Sequence, residues 1–176
     1  KNKFPPHVLI ITATPIPRTL AMSVYGDLDM SIIDELPPGR KYIKTFHQTQ
    51  RDRLKLLDFL KKEINKGRQA YVVYPLIKES EKLDFKDLLD GYETFSRDFP
   101  MPEYQISIVH GKMNNEDKEY EMQRFIENKT QLLISTTVIE VGVDVPNATV
   151  MIIESAERFG LSQLHQLRGR VGRGKH

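Results

Sequence analysis

The sequence predicts an α/β fold: a doubly wound, mostly parallel sheet with flanking helices. Short apolar runs recur along the chain, separated by stretches with helical periodicity, as when strands are joined through crossover helices. Two of the runs, Gln131-Leu132-Leu133-Ile134-Ser135 and Val150-Met151-Ile152-Ile153, are apolar on both faces, as central parallel strands must be. The chain has 176 residues, 39% hydrophobic and 28% charged, so it can bury a real core as one or two ordinary globular domains.

Val8-Leu9-Ile10-Ile11 reads as a buried strand ended by Thr12-Ala13-Thr14-Pro15. Pro17 suits the first turn of a helix that carries Leu20, Ala21 and Val24. Ser31-Ile32-Ile33 reads as another short strand. Pro37-Pro38-Gly39 then breaks regular structure and predicts a linker over 37–40, dividing residues 1–36 from a domain over 41–176. In that domain Tyr42 to Phe46 reads as a strand and Thr49 to Gly67 as a helix. Thr49 and Asp52 resemble a capping box, Leu57, Leu60 and Ile64 share a face, and Gly67 sits where a C-cap belongs. Ala70 to Tyr74 is a strand stopped by Pro75, Lys82 to Phe99 a helix, and Gln105 to Val109 a strand. Asn114 caps a helix bearing Met122, Phe125 and Ile126. The strands at 131–135 and 150–153 follow, and a last helix starts near Leu161.

Charge is nearly balanced at +2 but unevenly placed. Leu161 to His176 holds four Lys/Arg and no acid, whereas Glu79 to Glu103 holds eight acids against three Lys/Arg. An anionic ligand would be drawn to the first segment and repelled by the second. The absence of cysteine excludes a disulfide framework and a thiolate metal site. No apolar run approaches the roughly 20 residues that span a membrane, and no signal peptide is visible, so a cytoplasmic location is expected. Lys1 is not an initiator, and the chain is expected to be a piece of a longer one.

The chemistry concentrates at the end. Arg168-Gly169-Arg170-Val171-Gly172-Arg173-Gly174 sets three arginines among three glycines. Glycine lets backbone approach closely, and guanidinium matches phosphate oxygens bidentately. In parallel sheets ligands bind beyond the carboxyl ends of the strands. Thr12-Ala13-Thr14, His110-Gly111-Lys112, Ser135-Thr136-Thr137 and Glu154-Ser155-Ala156 all fall there. Any one of these is adequately explained as ordinary turn chemistry; their shared position favours a phosphate or nucleic-acid backbone. Two look-alikes are rejected. Gly169 to Lys175 fits a phosphate-binding loop, but His176 stands where Ser or Thr should hold magnesium, and a helix precedes it instead of a strand. Ile32-Ile33-Asp34-Glu35 resembles a magnesium-binding Asp-Glu, but prolines follow at once.

Gln166-Leu167-Arg168-Gly169-Arg170-Val171-Gly172-Arg173 is similar to the Q-x-x-G-R-x-G-R motif VI of superfamily 2 helicases. Thr12-Ala13-Thr14 resembles their motif III, Tyr71 to Leu76 lies where motif IV belongs, and Ser135 to Pro146 resembles motif V. The motifs occur in the family's order over nearly the whole chain. Thr12 to Ala21, Tyr25 to Asp29 and Ile33 to Arg40 resemble the bacterial helicases that remodel branched DNA. Transcription-repair coupling translocases share the first of these stretches and are the nearest rival.

The resemblance implies a RecA-like second motor domain over 41–176, preceded in 1–36 by the end of a first. It implies ATP and magnesium, bound mainly by a first motor domain outside this chain, and branched or forked DNA as partner of a monomeric enzyme. Arg173 becomes the arginine finger, Arg170 a second phosphate or interdomain contact, and Gln166 a group positioning the same site. Gly142 and Asp144 lie near the ribose and the cleft. Thr136, with His110 and Gly111, faces the DNA backbone, and Thr12 and Thr14 couple hydrolysis to domain movement. No metal ligand is assigned. Arg168 is read as a solvated helix residue, His165 as a surface or packing histidine, Lys112 as an exposed lysine, and the Tyr92, Phe95 and Phe99 stripe as core. Glu140 fits a site acid or a cap equally. The arginine end, with no γ-phosphate to reach in this chain, is expected to be mobile or idle. A different class also fits: a nucleic-acid-binding module without catalysis, its arginines on phosphates.

Overall fold

The computed structural model describes residues 42–76, 81–136 and 145–174, with positions 9, 11, 29, 31–33 and 35 nearer the amino terminus; over 81–85 only the backbone is described. The chain divides into two compact units, Lys1–Leu36 and Pro37–His176. Every described helix and strand lies in the second.

Four strands, β1 (Gln69–Tyr74), β2 (Ile106–Val109), β3 (Leu132–Thr136) and β4 (Ala148–Ile153), form one sheet in the order β2-β3-β1-β4. Every neighbouring pair is parallel. The helices are α1 (Arg53–Asn65), α2 (Glu81–Asp98), α3 (Asn115–Ile126) and α4 (Leu161–Arg168). The fold is thus the helix-flanked parallel sheet that the apolar runs predict.

Parallel pairing requires both faces to be covered, and two cores do this. On one face Ala70, Val72, Leu132, Ile134 and Ile152 pack with Leu57, Leu60 and Ile64 of α1 and Leu88, Phe95 and Phe99 of α2. On the other, Tyr71, Val73 and Leu133 pack with Met122 and Phe125 of α3, with Phe159, and with Val171. Phe95 and Phe99 are fully buried, as the stripe reading requires.

The amino ends of the strands are tied by a buried polar set. The Gln69 amide nitrogen donates to the carbonyls of Phe125 (2.6 Å) and Thr130 (2.7 Å), and its oxygen accepts from Asn147 (3.0 Å). With these bonds made, burying the carboxamide carries no desolvation penalty.

Local signals hold at the helix starts. The Asn114 side chain accepts from the Asp117 amide at 2.7 Å. The Asp52 carboxylate accepts from the Thr49 amide at 3.4 Å and its hydroxyl at 3.3 Å, but the first turn, Gln50–Asp52, is 3-10 before α1 begins. Gly67 has φ +81°, the left-handed conformation that glycine tolerates. Glu63, buried on α1, would be raised by burial; hydrogen bonds from Lys66 and Arg68 outweigh this and hold its carboxyl below the usual range.

Two expected strands differ. Residues 42–49 contain neither helix nor strand, and Tyr42 and Phe46 stand in solvent; Ile43 alone packs on a core. A segment of aromatic and β-branched residues becomes a strand only with a ladder partner, and none of the described strands pairs with this segment. Ser31, Ile32 and Ile33 likewise carry no strand, and Ile33 is 94% exposed. The 8–11 strand and the 17–24 helix lie largely or wholly outside the described residues.

Gly91, mid-way along α2, faces Tyr74: a Cβ there would overlap the phenol oxygen and come within 2.9 Å of ring carbon Cε2. Gly91→Ala should therefore lower unfolding free energy by about 1–3 kcal/mol despite alanine's better helix propensity, because overpacking outweighs it. Urea melts of the domain check this; a gain in stability would mean the ring swings aside freely.

Candidate nucleotide and nucleic-acid site

The register places four strand ends side by side. Val109 pairs Ser135, Ser135 pairs Val73, and Val73 pairs Ile153. The next residue of each strand extends the row: His110, Thr136, Tyr74 and Glu154. With strands ~4.8 Å apart the row spans about 14 Å. The sheet therefore gathers His110 and Thr136, with exposed Gly111 beyond, on the carboxyl edge where α/β sheets bind ligands.

The row changes character along its length. At the β2 end, burial lowers the His110 pKa below the ordinary histidine value, and the Lys112 and Lys118 ammoniums lower it further. His110 is therefore a neutral imidazole at pH 7 in a positive field. The Lys118 ammonium donates to the Gly111 carbonyl at 3.4 Å, closing the loop back on α3. At the β4 end, Glu154 pairs with Arg53 at 2.6 Å, and the Arg53 guanidinium lies 5.0 Å over the Phe95 ring. Burial, then the neighbouring Glu154 carboxylate, push the Tyr74 phenol far above its usual range, so it stays protonated. Thr136 is buried. The Ser135 hydroxyl beside it is buried and has no hydrogen-bond partner among the described residues.

The second group is the arginine end. The chain leaves β4 through Ser155, in the left-handed region at φ 49°, and a 3-10 turn at Ala156–Arg158. Phe159 is buried, and α4 follows. Leu164 and Leu167 pack on the second core. Beyond α4 the Arg170 amide donates to the Leu167 carbonyl at 2.9 Å, Val171 is buried, and Gly172 takes φ +72°. Gln166 and Arg173 are exposed and Arg170 is half-buried. The Arg173 Nε donates to the Gly169 carbonyl at 2.8 Å.

Val171 is only 3% exposed, so the strand of chain carrying Arg170 and Arg173 is anchored in the core. Arg168 is exposed and reaches the Ile43 carbonyl at 3.5 Å, and His165 is exposed. Gly142, Asp144, Glu140, Thr12 and Thr14 lie outside the described residues. Sequence reasoning missed Arg53 as the partner of Glu154. The two stand far apart in the chain, and only the parallel crossover brings them together.

Residues 52–175 match the family model of the helicase conserved C-terminal domain, and the chain belongs to that family. Among its relatives, it is 54% identical over 171 residues to the ATP-dependent DNA helicase RecG of Synechocystis sp., covering 97% of this chain and 20% of that protein. It is 54% identical over 172 residues to RecG of Bacillus subtilis, covering 97% of this chain and 25% of that protein. A solved structure of RecG bound to a three-way DNA junction superposes with a TM-score of 0.71 at 47% identity, covering 92% of this chain and 21% of that one. The chain thus spans a fifth to a quarter of the length of these relatives. The sheet and its helices are those of a RecA-like helicase C-terminal domain.

Proposed function

We propose that this chain is the second motor domain of an ATP-dependent DNA helicase that remodels branched DNA, by fork reversal and branch migration, in cytoplasmic recombination and repair. Residues 1–36 are the end of the first motor domain and 37–40 the linker. The observation that carries the reading is an anchored arginine end, with Arg173 turned to solvent, in a chain so similar throughout to proteins named RecG.

The described residues fit one half of an ATP site. Arg170, Arg173 and Gln166 offer donors to a polyphosphate, and two of the three are exposed, as contact across a cleft requires. They do not fit magnesium: among the described residues no group of three or more His, Cys, Asp or Glu is placed to hold a metal ion. In this reading the magnesium ligands and the phosphate-binding lysine come from the first motor domain. ATP supplies the phosphoanhydride whose cleavage drives movement. Arg173 stabilises charge developing on the transferred γ-phosphoryl, Arg170 makes a second phosphate or interdomain contact, and Gln166 orients the same end. Gly142 and Asp144 face the ribose. Thr136, His110 and Gly111 lie against the DNA backbone, where neutral His110 donates a hydrogen bond and Lys112 and Lys118 add positive field. Thr12 and Thr14 couple the two domains.

The pure 176-residue chain should show no ATP turnover in a phosphate-release assay, yet the protein carrying both motor domains should hydrolyse ATP when forked DNA is added. Turnover by the chain alone would sink the division of the site. Failure of the two-domain protein to respond to DNA would favour the non-catalytic binding module.

A further inference from the structure

Gly174 follows the proposed finger directly, and its backbone is packed against another backbone. A Cβ at position 174 would overlap the Pro146 carbonyl oxygen and lie 3.0 Å from the Pro146 carbonyl carbon. Pro146 closes the connection between β3 and β4. Its neighbour Val145 is 3% exposed and shares one core with Val171. The Val145 carbonyl accepts from the Ala148 amide at 3.0 Å, which fixes this corner to β4. Arg173 is therefore bracketed. Before it, Val171 is plugged into the core and Gly172 turns the chain in the left-handed region; after it, Gly174 rests on Pro146.

We propose that Gly174 is a positioning residue: its backbone contact with Pro146 transmits the placement of the corner at Val145 and Pro146, just before β4, to the Arg173 guanidinium. This inference rests on the function proposed above. The physical warrant is stiffness. A contact between two flexible side chains absorbs a shift of an ångström by changing rotamer, whereas two main chains packed without an intervening Cβ cannot. Any displacement of Pro146 must then move the finger. Misplacing a catalytic group by about 1 Å costs on the order of 10²-fold in rate.

The test is Gly174→Ala in the protein that carries both motor domains. The added methyl must push residue 174 off Pro146. DNA-stimulated kcat should fall by about 10²-fold, while KM for ATP and affinity for a forked DNA duplex stay near those of the unaltered protein. Affinity for ADP with aluminium fluoride, which mimics the transferring phosphoryl group, should fall while affinity for ADP is kept. That split separates misplacement of Arg173 from a general loss of packing. Unchanged kcat overturns the proposal. So does an equal loss of affinity for ADP and for ADP with aluminium fluoride, since Gly174 would then only stabilise the domain. If the unaltered protein shows no DNA-stimulated hydrolysis, the functional reading itself has failed, independently of Gly174.

Discussion

Replacing Arg173 by alanine in the two-domain protein should lower DNA-stimulated ATP turnover by about 10³-fold or more, with ATP affinity changed only a few-fold. An arginine finger is worth roughly 10³–10⁵ in rate in GTPases, because its charge meets one that develops only in the transition state. On the division of the site proposed above, binding would survive because the first motor domain would hold most of the nucleotide. Arg168→Ala, at an exposed position whose guanidinium reaches the Ile43 carbonyl at 3.5 Å, should leave turnover within about twofold, in line with the small effects of surface substitutions. Steady-state phosphate release and nucleotide-binding titrations read the two effects apart. Full activity in Arg173→Ala would remove the finger assignment.

Phe95→Ala should destabilise the domain by about 3–5 kcal/mol, the usual cost of emptying a fully buried phenyl site. Phe95 has no exposed surface, lies 6.2 Å from the stacked Phe99 ring, and carries the Arg53 guanidinium over its face. Its loss also removes the support on which Arg53 reaches Glu154. Against a typical total of about 5–15 kcal/mol, such a loss is severe. A shift below about 1 kcal/mol in chemical denaturation would show that the first core closes over the gap. The described acids Asp87, Asp90 and Glu93 then form the solvent side of a core helix, with Asp87 and Arg158 paired at its edge at 3.6 Å.

Periodicity in the sequence carries most of the sheet. The runs at 70–74, 105–109, 131–135 and 150–153 all fall on strands, with ends shifted by a residue or two. The row at the carboxyl edge is also legible, because parallel strands must bring their carboxyl ends to one side. The failures have one cause. Tyr42 to Phe46 is rich in aromatic and β-branched residues but pairs with no described strand, and pairing is a long-range fact absent from local pattern. The same holds for Arg53 with Glu154, for Gln69 threaded between Thr130 and Asn147, and for Gly174 on Pro146. Each joins residues distant in sequence, so no window of ten or fifteen residues contains both partners. Gly174 in the sequence looks like one more glycine of a basic tail; only the contact shows what its missing side chain makes room for.

The strand order has a consequence for the chain's biogenesis. β1 is the first of the four strands to be synthesised and sits inside the sheet, but its partners are β3 and β4, the last two. Parallel pairing across such long loops is entropically slow to close. Until Ile153 has been made, β1 keeps at least one unsatisfied edge, an open template for association with other chains. Nascent chains paused before β4 should therefore be the aggregation-prone species, and release of the chain through Ile153 the step that ends their exposure.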